Sequence, residues 1–134
     1  MRIIYIIILI VVLLIFYFSW IPDPNLANVK FMPGWLSNWT DKKEFEDIRT
    51  GVPLIILGFC TGLLPILRTP ENIRRWFISW LVLIGVVFCA EVGQLLLPKR
   101  AFSWDDVGWG AAGALLGLSL AAIGKERFHY FWKR

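Results

Sequence analysis

Charge is scarce in this sequence. Only 18% of its 134 residues are Asp, Glu, Lys or Arg, where an ordinary soluble domain carries about 25%. Histidine occurs once and cysteine twice. A single His excludes a His-rich metal site and the paired axial ligands of a haem, and two Cys exclude a disulfide scaffold. No glycine-rich loop joins a strand to a helix, which argues against a phosphate-cradling nucleotide site. The eleven Gly and seven Pro follow no collagen-like period. What the chain has is apolar mass: 57% of its residues are hydrophobic, with a mean hydropathy of +0.63. That composition excludes disorder, and the length allows one domain, spanning 1–134.

A helix needs about 20 mostly apolar residues to cross a hydrocarbon core of about 30 Å. Four blocks qualify. They predict an all-α fold, an integral membrane bundle of four transmembrane helices at about 3–21, 50–67, 76–97 and 105–123. The second is interrupted by Pro53 and Pro65. It and the fourth are short, so each is expected to borrow a turn from its flank. A soluble bundle would show a polar face on each helix, and these blocks show none. The first block is longer than the core of a signal peptide, and Phe18-Ser19-Trp20-Ile21-Pro22 offers no small-x-small cleavage site. A retained helix is expected.

Short-loop Lys and Arg set orientation. With the N-terminus inside, Arg2, Arg68, Arg74, Arg75, Lys125, Arg127, Lys133 and Arg134 lie on the cytoplasmic side, and Lys30, Lys42, Lys43, Arg49, Lys99 and Arg100 on the other. The excess favours both termini in the cytoplasm. The net charge of +4 then reads as basic residues near anionic lipid, with no nucleic-acid partner implied. The tryptophans fall near the span ends, as interfacial anchors do. Cys60 and Cys89 lie within spans and read as buried packing residues. Small residues recur every fourth position: Gly113, Gly117 and Ala121; Gly58 and Gly62; Gly85, Cys89 and Gly93. Such stripes let helix backbones approach closely in lipid. They serve either packing or a homo-oligomer, and the pattern does not choose.

Helix starts are written into the loops. Pro22-Asp23-Pro24-Asn25 stops the first helix. Asp41 and Glu44 have the spacing of a capped start, with Phe45, Ile48 and Val52 on one face of an interfacial turn, and Pro53 is expected to kink the entry. Ser103-Trp104-Asp105-Asp106 is a clearer start, with Ser103 as cap and two acids in the first turn.

Glu91 is the most informative residue. A charge deep in a bilayer is costly, so it faces protein or water and has a partner. Gln94, three residues on, shares its face. Pro98 ends the helix, and Arg100, Asp105 and Asp106 follow within a short connection. These groups are expected to converge on one outer pocket.

Glu91-x-x-Gln94, Pro98, Arg100, Phe102-Ser103-Trp104-x-Asp106-Val107 and Gly113-x-x-x-Gly117 resemble the VanZ-like family of small bacterial membrane proteins. Ser19-Trp20-Ile21-Pro22 and Asp41-Lys42 are similar too. The resemblance covers essentially the whole chain and implies a four-helix protein of the cell envelope, with a link to resistance against the glycopeptide teicoplanin. It singles out Glu91, Gln94, Arg100 and Asp106 as binding residues, with Asp41 and Lys42 beside them. The chain departs from the family at Gly110, where Asn is common, and at Glu44-Phe45, near which the family often carries His.

Three readings of the cluster follow. In the first it binds a lipid phosphate, a lipid-linked precursor or a glycopeptide, through the forked donors of Arg100 and the start of the fourth helix. Asp105 and Asp106 oppose an anion there. In the second, Glu91 is a general acid or base, with Asp106 as its ionised counterpart. No nucleophile motif accompanies it, and His129 lies at the opposite end. Metal ligands are few, although Glu91, Asp105 and Asp106 could hold a hard cation. The third is structural: Glu91 pairs with Arg100, Gln94 bonds a carbonyl, Asp106 caps its helix, and the protein acts through partners as a scaffold. The sequence leans towards binding without catalysis and implies no cofactor.

Overall fold

The computed structural model describes residues 2–21, 33–35, 46–67, 72–98 and 100–132, with backbone only for 46–49 and 126–132. Asp41, Lys42, Glu44 and Phe45 lie outside the described residues. The chain forms α1 (Arg2–Ser19), α2 (Glu46–Gly62), α3 (Ile73–Gln94) and α4 (Trp104–Trp132), and no strand occurs among the described residues. α1, α3 and the Trp104–Lys125 part of α4 are long and apolar enough to cross a membrane. The apolar part of α2, Thr50–Gly62, is shorter. This is an all-helical membrane protein.

α2 ends before the expected Leu67. Pro65 disfavours helix at the residue before it, and Pro65–Leu67 close a single 3₁₀ turn instead. Thr50–Gly62 rises about 20 Å, short of the bilayer core of about 30 Å. The irregular backbone that follows therefore needs internal partners, since unmet carbonyls cost several kcal/mol in hydrocarbon. Lys125 Nζ donates to the carbonyls of Leu64 (3.3 Å) and Leu67 (3.1 Å). Arg75 donates to the carbonyl of Ile66 at 3.3 Å. The Lys125 ammonium also lies 5.9 Å from the centre of the Trp76 ring.

α3 begins at Ile73, ahead of the expected Trp76, and stops at Gln94. Leu95, Leu96 and Leu97 then donate to the carbonyls three residues back, tightening the end into Pro98. α4 runs on to Trp132, past the expected end at Ile123.

The tightest pairing is α2 against α4. A Cβ on Gly113 would collide with the Gly51 carbonyl, one on Gly117 with the backbone of Ile55 and Phe59, and one on Gly58 with the backbone of Ala114. Gly62 meets Ala121 in the same way. Two of the three small-residue stripes are thus packing stripes. Leu54, Leu57, Leu67, Leu83, Ala114 and Leu118 form the core beside them.

The third stripe is not one. α3 turns Leu83, Val87, Ala90, Glu91 and Gln94 inward. That phase leaves Gly85 facing open space and Cys89 exposed; only Gly93 meets a neighbour, the Trp20 indole. Cys89 is therefore no buried packing residue, and Cys60 is half-buried. α1 lies outermost: it has no buried residue, and it rests on the core through half-buried Ile8, Val11, Val12 and Ile15.

Candidate functional site

The buried polar residues gather at one end of the bundle. Glu91 is 2% exposed and Gln94 is 7% exposed. One turn apart on α3, they share a face, and Gln94 Nε2 donates to Glu91 Oε1 at 3.1 Å. The other Glu91 oxygen accepts the backbone N–H of Ser103 at 3.2 Å. A carboxylate this deep is tolerated only with such donors.

Ser103 is placed there by the helix start it makes. Its hydroxyl accepts the Asp106 N–H at 3.2 Å and its carbonyl accepts the Val107 N–H at 3.3 Å. This is the capping geometry that Ser-x-x-Asp encodes. Asp106 in turn accepts a bond from the Thr50 hydroxyl at 3.1 Å. On the other side, Gln94 Nε2 donates to Ser19 Oγ at 2.8 Å. One hydrogen-bonded belt therefore passes through all four helices: Ser19 on α1, Gln94 and Glu91 on α3, Ser103 and Asp106 at the head of α4, and Thr50 on α2.

The end of α1 closes over this belt. The Ser19 hydroxyl and the Trp20 indole N–H donate to the Ala90 carbonyl, at 3.3 and 3.1 Å. The Trp20 ring lies on Gly93, with no room for a Cβ between them. Arg100 Nε donates to the Ile21 carbonyl at 3.3 Å. Phe88, Phe102 and Trp104 brace the α3–α4 connection, with ring centres 4.8–6.2 Å apart. Trp104 is 71% exposed. Deeper in the bundle, Trp80 Nε1 donates to the Ala111 carbonyl at 2.9 Å.

Of the residues expected to form the site, Glu91, Gln94 and Asp106 lie in the belt, and Arg100 lies beside it against the last residues of α1. Asp105 is exposed, and it does not join Glu91 and Asp106 in any group of three metal-ligating side chains among the described residues. His129 is about 35 Å further along α4 than Asp106. Gly110 is buried, and a Cβ there would come within 2.8 Å of Val87; a branched side chain fills the space that an Asn would need. Thr50 escaped sequence reasoning, having no local signature. Trp20, expected as an interfacial anchor, also docks on α3.

The arrangement separates two kinds of group. Glu91 and Gln94 are inside and bonded to their neighbours. Trp104 and Asp105 are exposed at the rim, and Arg100 is half-buried against the chain after α1.

A family model described as VanZ/LLP1 matches residues 2–125, a stretch that contains the whole belt. No curated protein and no solved structure matches the chain.

Proposed function

The chain belongs to the VanZ/LLP1 family, and on that premise we propose that it binds a lipid-linked precursor or a glycopeptide at the Glu91 end of the bundle, contributing to glycopeptide (teicoplanin) resistance. In this reading it is a multi-pass protein of the bacterial cytoplasmic membrane, with both termini cytoplasmic. The Glu91 end then faces outward, where such ligands are met. Arg74, Arg75 and Lys125 at the far end fit the positive-inside pattern.

The belt is the observation that carries this proposal. A buried carboxylate bonded by Gln94 and Ser103 forms a rigid floor under a rim that presents Arg100. Arg100 offers a fixed charge and forked donors to a phosphate or carboxylate. Glu91, Gln94 and Asp106 hold the floor, and Asp41 and Lys42 are assigned to the same site.

A scaffold role is the second reading. It is favoured by the bonding of Glu91, both of whose oxygens already accept donors from the protein. Native mass spectrometry of protein extracted with its own lipids separates the two. Binding predicts a specific lipid or precursor retained by wild type and lost in Arg100→Ala and Glu91→Gln. A co-purifying protein with no retained small molecule supports the scaffold. Drug susceptibility unchanged on both deletion and overexpression would sink the resistance assignment.

A further inference from the structure

Two donors of the candidate site are occupied by oxygens at the end of α1 and just beyond it. Gln94 Nε2 donates to Ser19 Oγ at 2.8 Å, and Arg100 Nε donates to the Ile21 carbonyl at 3.3 Å. These acceptors lie within three residues, at the end of the least embedded helix of the bundle. α1 has no buried residue. Ser19 and Trp20 also donate to the Ala90 carbonyl.

We infer that the Ser19–Ile21 end of α1 is a displaceable plug, whose oxygens stand where those of an anionic amphiphile bind. The geometry gives three reasons. First, the belt outlasts the plug's departure: Glu91 keeps Ser103 and Gln94, and Asp106 keeps Thr50. Opening therefore costs only the α1 contacts. Second, the same motion frees the Gln94 amide from Ser19 Oγ and the Arg100 Nε–H from the Ile21 carbonyl. A neutral and a charge-assisted donor at one end of the bundle suit a phosphate ester or a carboxylate. Third, Trp20 fills the space over Gly93, so its departure leaves a notch there, and the neighbouring Leu95 and Leu96 are exposed large apolar residues. A ligand with a hydrocarbon tail enters there from the lipid phase. The plug's motion stands on α1 contacts alone; the ligand class rests on the binding role proposed above.

Spin-label distance measurements test both parts in phosphatidylcholine nanodiscs. Labels go on Tyr17→Cys and Leu96→Cys, exposed positions on either side of the notch, in a Cys60→Ala/Cys89→Ala background. An Ile56→Cys/Leu120→Cys pair on α2 and α4 is the control. The expected result is a minor long-distance population for the first pair only. Trp20→Phe, which keeps a ring against Phe16 but removes the indole N–H, enlarges it several-fold. Undecaprenyl phosphate also enlarges it several-fold in wild type and not in Arg100→Ala. One unchanging distribution in wild type, in Trp20→Phe and with the amphiphile would overturn the plug. Opening in Trp20→Phe without any response to undecaprenyl phosphate overturns the ligand class. An equal response to inorganic phosphate overturns the lipid-phase route. If native mass spectrometry finds a retained amphiphile while the labels do not move, the binding role survives and the plug does not.

Discussion

The backbone N–H of Ser103 donates to Glu91 Oε2 at 3.2 Å, while the Ser103 hydroxyl caps α4 through the Asp106 N–H at the same distance. One residue thereby ties the buried carboxylate of α3 to the first turn of α4. The two jobs use different atoms, so mutation can separate them.

Glu91→Ala should be the most destabilising substitution in the belt. It strands the Ser103 N–H, at a cost of about 1–3 kcal/mol when left unsatisfied, and takes one of the two acceptors of the Gln94 amide, which keeps Ser19. Glu91→Gln should cost less, because the amide oxygen can still accept one of those donors. Thermal unfolding in detergent should rank wild type above Glu91→Gln and Glu91→Ala last. Equal midpoints for all three would show that the belt does not hold the bundle together.

Ser103→Ala removes the cap and keeps the N–H that reaches Glu91. The expected loss is about 1 kcal/mol, the usual value of an N-cap serine. Because the Glu91 contact survives, the double variant with Glu91→Gln should lose nearly the sum of the single losses. A strongly non-additive double variant would mean that the hydroxyl, not the backbone, carries the link to Glu91.

Much of this architecture is legible in the sequence, and the rest fails for physical reasons. Unbroken apolar runs mark α1, α3 and α4. The three-residue spacing of Glu91 and Gln94 puts them on one face, and Ser-x-x-Asp marks the start of α4. The end of α2 is only partly legible: Pro65 disfavours helix just before it, but Leu63–Leu67 continue the apolar run and hydropathy does not tell a helix from a turn. The phase of α3 is equally silent. In a membrane both faces of a helix are apolar, so periodicity does not say that Gly85 and Cys89 point outward. Thr50 and Ser19 meet their belt partners across long stretches of chain, and no local pattern signals such contacts.

The glycines provide a sharp contrast. Gly117→Ala puts a Cβ into the backbone of Ile55 and Phe59, where neither atom is a flexible side-chain end. α2 and α4 must separate to accept it, so the loss should reach or exceed the 1–3 kcal/mol or so typical of overpacking. Gly85→Ala enters open space and should be neutral or stabilising by up to about 1 kcal/mol, since Ala suits a helix better than Gly. Yield of folded protein and its thermal midpoint check both. A stable Gly117→Ala would refute the close α2–α4 approach.

Lys125 closes the opposite end of the same helix pair, and its substitution tests how a broken helix survives in lipid. α2 stops at Gly62, and in the turn that follows the Leu64 carbonyl accepts the Leu67 N–H at 3.0 Å. The Lys125 ammonium adds a second donor to that carbonyl and also bonds the carbonyl of Leu67. Lys125→Met keeps the aliphatic stem and removes the donors. The Leu64 carbonyl keeps the Leu67 N–H, so if the carbonyls stay dry the loss should approach about 1–3 kcal/mol, from the Leu67 carbonyl alone. If water reaches them, it should fall below about 1 kcal/mol. Hydrogen exchange of the α2 and α4 amides in nanodiscs distinguishes these cases. Faster exchange confined to the last turn of α2 means that Lys125 caps that helix locally. Faster exchange along both helices means that it holds the glycine-packed pair together. Unchanged exchange and an unchanged thermal midpoint would show that the Lys125 contacts contribute nothing to stability.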